Sequence, residues 1–465
     1  MLAPWLELGV GGRELNMRNI MVASVLALSV AAMSVGGAQA QSITQALTRA
    51  YQYSPDLSSA LLNAKASAEN VAQAQSGKRP TIGAQVGSTY SWTIPDSTQG
   101  GTSLSAGLSY NQTLFDNYQT EAQIEAARAG AELAEYQIRN TEQNVLLAVV
   151  QAYMSVLSQR ELVSLSRDNL KFFQAQLQSA KDRLDVGEGT RIDVAQAEAR
   201  LAQNDASYRA AVARLETNQA TFQRYVGEQP GNLNPSHGYA RLIPNSLQSA
   251  INEAETGHPA IMMAKAAIRA AQAGSDGAQS AFGPKLGVTG GIQTGYSLDN
   301  QRTTIGGSLG FTINVPIYAG GALGAGVRKA NLLQIKSEVD AMGAADQVRE
   351  AVISAWAGIQ SADAQIAAAT SATSASDEVL AGTIQERDLG TATTLDVLNS
   401  QADLTTARET LINAQTNKVV ATFSLLSAMG RLTASNLGLP VEVKSAVQYN
   451  QAVEDVWQEL RSVQR

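Results

Sequence analysis

Polar residues recur at matched spacing in two short segments, Gly189-Thr190-Arg191-Ile192-Asp193-Val194 and Gly390-Thr391-Ala392-Thr393-Thr394-Leu395-Asp396-Val397-Leu398. In each, a threonine stands three residues ahead of an aspartate: Thr190 before Asp193, and Thr393 before Asp396. That spacing is a capping box, in which the hydroxyl takes a free backbone N–H at a helix start and the acid sits in the first turn, favoured by the helix dipole. Groups for covalent or metal chemistry are scarce, with no cysteine and two histidines in 465 residues. Cys/His zinc sites, disulfide scaffolds, thiol nucleophiles and a cysteine-borne lipid anchor are thereby excluded. His237 and His258 have no carboxylate at close spacing and read as surface and helix-start residues. No catalytic constellation, cofactor site or metal site emerges, and an enzyme is not expected.

Charge and composition point to long helices rather than a globular core. The net charge is -7, from 34 basic and 41 acidic side chains, and no basic run is dense enough to neutralise phosphates, so a nucleic-acid partner is not expected. Hydrophobic residues make up 44% and aromatics 5%; alanine and valine carry most of that share, which suits closely packed rods. Met17, Arg18 and Asn19 precede an apolar run from Ile20 to Val35 and small residues ending Ala38-Gln39-Ala40, the layout of an export signal cut before Gln41. The run, about 16 residues, is shorter than the roughly 20 that span a bilayer, so the membrane-anchor alternative is weaker. Residues 1–40 are therefore expected to be a signal peptide with an N-terminal extension.

The remainder is written twice. Pro55, Pro80 and Gly83 match Pro259, Pro284 and Gly287 at one offset, which then shortens by a residue: Gly187, Asp193, Leu201 and Gly227 match Gly390, Asp396, Leu404 and Gly430. One register held across so many Gly, Pro and Asp positions indicates an internal duplication too long for a solenoid unit. The expected layout is a first repeat over 41–230, a connector over 231–246, a second repeat over 247–440 and a tail over 441–465. The tail is polar and reads as dispensable.

Each repeat opens with helical sequence, 42–76 and 247–281, and then changes to a period of two. In 81–94, Ile82, Val86, Tyr90 and Trp92 share one face against Gln85, Thr89 and Ser91; 102–115 repeats the pattern, and so do the segments carrying Val288, Ile292 and Tyr296 and then Ile305, Leu309 and Phe311. These are four strands, paired as hairpins through 96–101 and 299–302. Strands of about 13 residues with one apolar face and almost no charge match the roughly 25 Å apolar band of an outer-membrane barrel. A soluble sandwich is the competing reading.

After each hairpin comes a stretch without proline, 117–185 and 321–387. About 65 helical residues would make a rod near 100 Å. A seven-residue spacing runs through Val149, Val156, Val163, Leu170, Leu177 and Leu184, and resumes after the turn at Val194, Leu201, Tyr208, Leu215 and Phe222. Such heptads hold neighbouring helices in contact, and an ordinary coiled-coil hairpin fits them equally well. Four strands do not close a barrel, because the smallest bacterial barrels have about eight, so closure would need a dimer, a trimer or a tetramer. Open edges are not tolerated in lipid.

The signal segment, the two tandem copies of helix, strand hairpin and long helical hairpin, and the Gly-Thr-x-x-Asp-Val turn resemble the TolC family of outer-membrane efflux proteins, in its unlipidated, BepC-like branch. The resemblance covers 41–440 and is most specific at the two turns and at Tyr53-Ser54-Pro55 and Gly257-His258-Pro259. It implies an α+β membrane protein with an outer-membrane β-barrel shared between the protomers of a homotrimer, four strands from each, continued by a long α-helical periplasmic barrel. It further implies a passive exit duct of tripartite efflux or type I secretion in a Gram-negative outer membrane, for drugs, bile salts, toxic compounds or proteins. The implied partners are a periplasmic adaptor (membrane fusion) protein, an inner-membrane RND or ABC transporter, and outer-membrane lipid. No cofactor is implied.

By the same resemblance the turns at Gly187, Gly189 and Gly390 form the periplasmic tip, with Thr190, Arg191, Asp193 and Asp388 among its polar residues. Asp396 falls on a ring of acids at the constriction, while Asn399 stands where a second ring acid is expected. Ala392 replaces an arginine of the closing links. Arg387 lies where a tyrosine partner of Asp193 is expected, so an Arg387–Asp193 latch is the hypothesis. Two rivals are a trimeric coiled-coil adhesin, which would carry one C-terminal barrel rather than two interleaved hairpins, and a soluble periplasmic enzyme, for which no residues speak.

Overall fold

The computed structural model describes residues 41–92, 101–236, 238–454 and 456. The expected signal segment, His237 and all but Gly101 of the first hairpin turn lie outside these.

Local chemistry explains the element boundaries. Helix α1 (Ile43–Tyr53) starts from a capping box between Ser42 and Gln45. It stops because Pro55 cannot continue it; the Ser54 hydroxyl instead accepts from Leu57 N at 3.2 Å and starts α2 (Pro55–Ser76) with proline in the first turn. The second repeat has the same break, between α5 (Leu247–Gly257) and α6 (Pro259–Ser280), where His258 caps: its Nδ1 accepts from Ala260 N at 3.1 Å. Burial holds this imidazole below its ordinary pKa, so it stays neutral, as an acceptor must.

The strands are β1 (Thr81–Ser91), β2 (Gly101–Phe115), β3 (Lys285–Ser297) and β4 (Arg302–Asn314), in one antiparallel sheet of order β1-β2-β3-β4. The repeats meet inside the sheet, with β2 on β3 (Asn111 opposite Thr289), while Thr81 faces Asn111 and Lys285 faces Asn314 within the hairpins. With this register, all four helix-connected strand ends lie along one edge of the sheet and both hairpin turns along the other. Among the described residues the outer edges of β1 and β4 are unpaired. None of the described residues covers the apolar face: Ile82, Val86, Ile305 and Leu309 are 74–85% exposed.

The rods are α3 (Gln119–Asp185) and α7 (Ala322–Asp388), each 67 residues, so about 100 Å at 1.5 Å per residue. Each folds back on a shorter helix, α3 on α4 (Arg191–Val226) and α7 on α8 (Thr394–Ala428), and α3 also packs on α8. The upper part of α3 lies between α2 and α6. The heptad seam holds at Val149, Val156 and Val163, then drifts: Asn169, Phe173 and Ala180 are buried where Leu170, Leu177 and Leu184 are half-buried. Below the midpoint α3 faces two helices at once, and a single seam does not serve both.

The core sits at mid-length, where α1 and the connector wrap the rods. Leu47, Tyr51, Tyr153, Phe222 and Phe423 are buried there together. The Tyr153 hydroxyl lies 2.6 Å from the Gln41 carbonyl and 2.7 Å from that of Asn234, tying the chain start and the connector to α3. The tail, expected to be dispensable, packs on the fold where it is described. After the short α9 (Ala434–Leu437), the described tail crosses back and forms α10 (Val447–Glu454) on α2. Tyr449 donates to Glu69 at 2.6 Å, and Arg128 pairs with Glu454 at 2.6 Å. Its polar composition reflects these tethers, which carry no hydrophobic period.

Candidate functional site

The two turns that end the rods have the same construction. Gly187 (φ +80°) and Gly390 (φ +79°) adopt the left-handed conformation that ends α3 and α7 without a Cβ clash. A Cβ at Gly189 would lie 3.0 Å from the Leu184 nitrogen, so the first turn is closed to larger residues. Both capping boxes form. The Thr190 hydroxyl accepts from Asp193 N at 3.2 Å and donates to Asp193 Oδ2 at 2.6 Å, and Thr393 does the same with Asp396 at 3.2 Å and 2.6 Å. Hydrogen bonds from the Thr393 hydroxyl and then its backbone N–H hold the Asp396 carboxyl below its usual pKa. It is exposed and ionised at neutral pH.

Arg387 is placed differently from the expected latch. Its Nη1 donates to Gln176 Oε1 on α3 at 2.6 Å, and its Nη2 pairs with Asp388 Oδ1 at 2.8 Å. No Arg387–Asp193 pair forms within the chain. Asp193 Oδ2 is occupied by both Thr190 groups, whereas Gln176 and Asp388 meet a guanidinium that is 9% exposed. Arg191 is exposed, and Asn399 accepts from Arg200 Nη2 on α4 at 2.9 Å. Leu380, Val397 and Leu404 pack the hairpin of α7 and α8 just behind the turn, with Phe172 of α3 against them.

Two polar features escape sequence reasoning. A short amide ladder crosses the helices above the tip: Gln401 Nε2 donates to Asn169 Oδ1 at 2.9 Å, and Asn169 Nδ2 donates to Asn204 Oδ1 at 2.7 Å, with Asn169 6% and Gln401 7% exposed. The signal for it is an asparagine beside the heptad position Leu170. At mid-length Glu142, fully buried, accepts from Ala434 N at 2.6 Å and pairs with Arg139 at 3.3 Å. Burial pushes its carboxyl up, against the Ala434 hydrogen bond and Arg139. Glu135 accepts from Ala446 N at 2.8 Å, so one face of α3 clasps the chain on either side of α9.

An open sheet with a bare apolar face, carried on paired rods that end in capped turns, defines a class: outer-membrane channels whose β-barrel continues into a helical tunnel. The family profile described as outer membrane efflux protein matches residues 46–228 and 250–431, and the chain belongs to that family. It is 37% identical over 453 residues to the outer membrane efflux protein BepC of Brucella suis biovar 1 (strain 1330), covering 95% of this chain and 97% of BepC. It is 25% identical over 429 residues to the outer membrane protein TolC of Vibrio cholerae (87% and 95% covered). In fold it is similar to the CmeC outer membrane channel of Campylobacter jejuni, with a TM-score of 0.75 at 16% identity over 89% of each chain. The protein is an exit duct of the outer membrane; its relatives are channels rather than enzymes.

Proposed function

We propose that three copies of the chain assemble into one passive duct, with four strands and four long helices from each, and that an inner-membrane RND or ABC transporter loads it through a periplasmic adaptor protein. The observation that carries this reading is the four-stranded sheet with two unpaired edges and an uncovered apolar face, which lipid and neighbouring copies would satisfy together. The repeats 41–230 and 247–440, joined by 231–246, would then alternate around the wall, behind a cleaved signal at 1–40. The wall supplies a path and no energy, so the transporter selects the cargo.

At the tip, Gly187, Gly189 and Gly390 would shape the turns, and Thr190 with Asp193 and Thr393 with Asp396 would fix the helix starts. Arg387, bridging Gln176 and Asp388, would hold α7 to α3 in the closed state. The contact that crosses to α3 is the Arg387–Gln176 hydrogen bond, worth about 1.5–3 kcal/mol as a bond to a charged group, which a docking partner can overcome. Arg387→Ala should raise single-channel conductance; unchanged conductance would remove this latch. The function itself is tested in a deletion strain. Heightened susceptibility to drugs and bile salts, and heat-modifiable migration of the wild-type protein in outer-membrane fractions, are expected. Normal susceptibility with a soluble periplasmic monomer would end the reading.

A further inference from the structure

A groove of about 660 Å³ lies at mid-length where α3, α7 and α8 meet below the start of α6. Its position on α8 sets its direction. Val419, Phe423 and Leu426 turn to the mid-length core with α1 and the connector, while Asn417, Ala421 and Ser424, on the opposite side of the same helix, line the groove, and Val420 sits between the two. The groove therefore faces away from the wrapped belt, which on the duct reading is inward. Alanine, valine, glycine and Leu147 make the floor, and amides and hydroxyls, among them Asn140, Asn144, Gln365 and Ser361, make the rim with the His258 imidazole; no acidic, lysine or arginine side chain is among the described lining. Of the charges next in sequence to lining residues, Lys418 pairs with Asp363 at 2.7 Å and Arg139 with Glu142 at 3.3 Å, and Glu350, beside Ala351, is exposed. Gln143 lines the groove at 2% exposure, and its Nε2 has no hydrogen-bond acceptor among the described residues. A buried amide donor without an acceptor costs free energy that a bound oxygen would return.

We propose that this groove is a binding station in the duct wall for neutral, drug-sized amphiphiles that bring a carbonyl or hydroxyl oxygen to Gln143 Nε2 and an apolar face to the alanine floor. The volume suits such a molecule, and charged cargo would lose its hydration with no counter-charge to replace it. An extended polypeptide would pass over the groove without filling it.

The proposal rests on the duct reading for its inward aspect, and one experiment separates the two. The chain has no cysteine, so Ser424→Cys places a single thiol in the groove of the full-length protein reconstituted in lipid bilayers. N-ethylmaleimide labelling is followed with and without chloramphenicol, a neutral amide-bearing amphiphile, alongside conductance. Chloramphenicol is expected to slow labelling in a saturable way, and Gln143→Leu in the same background to weaken that protection about three- to tenfold, one net hydrogen bond's worth. If Gln143→Leu does not assemble, Asn144→Ala on the exposed rim replaces it, with weakened protection again expected. Unprotected labelling, or protection indifferent to both substitutions, would overturn the station while conductance still upheld the duct. A thiol that does not label at all would also overturn it, because the groove would then be covered. Equal protection by a short neutral peptide would overturn the preference for small amphiphiles.

Discussion

Asp396 and Glu142 both serve a helix start, yet their carboxyls shift in opposite directions because hydrogen bonds from Thr393 lower the one and burial raises the other. A depressed carboxyl contributes stability that is present above its unfolded pKa, near 3.8, and is lost as pH falls through the folded value. The α8 cap should therefore be intact from pH 7 to pH 5 and loosen only in stronger acid. Limited proteolysis at the Gly390 turn checks this: cleavage that rises already at pH 5 would contradict it. Glu142 behaves the other way. A raised carboxyl favours the fold below its unfolded pKa, near 4.5, and that contribution fades as pH rises through the folded value. What Glu142 must provide at neutral pH is an acceptor for Ala434 N, which Gln also provides. Glu142→Gln should melt near the wild type, whereas Glu142→Ala orphans a buried N–H and should cost about 1–3 kcal/mol by denaturant titration. Equal melting of the two variants would remove that role.

Helices and strands were legible where the pattern is local and periodic. The proline-free stretch 117–185 becomes α3 within two residues at its start, and the alternation from Thr81 becomes β1. Pairings over long separations were not legible. Gln176 lies 211 positions from Arg387, and nothing in the spacing of either residue distinguishes it from Asp193 as a partner. The amide ladder between α3, α4 and α8 was hidden for the same reason, and it yields a prediction. Gln401→Leu leaves Asn169 short of a partner in a buried seam and should destabilise the tip by about 1–3 kcal/mol, read as faster hydrogen exchange over the lower halves of α3 and α8. Adding Asn169→Leu should cost less than the sum of the single changes; strict additivity would show that the two amides act independently. The tail makes a parallel case: truncation after Pro440 removes the Tyr449–Glu69 and Arg128–Glu454 tethers and should lower the melting temperature, while an unchanged melt would uphold the expectation that it is dispensable.

At the scale of the whole molecule the duplication explains the architecture and also its incompleteness. Each repeat supplies a hairpin and a pair of rods, and β2 against β3 joins the repeats in one continuous sheet. Among the described residues that sheet still ends in two bare edges, and no contact buries the apolar side chains of Ile82, Val86, Ile305 and Leu309. Water is a poor solvent for such a surface, and lipid a good one, provided the edges find strands. Repetition thus carries the chain as far as a third of a cylinder on the trimer reading, and association must supply the rest. Native mass spectrometry of the protein extracted from outer membranes in mild detergent tests this most directly. Three chains in one heat-sensitive particle are predicted; a stable single chain in that extract would contradict the account.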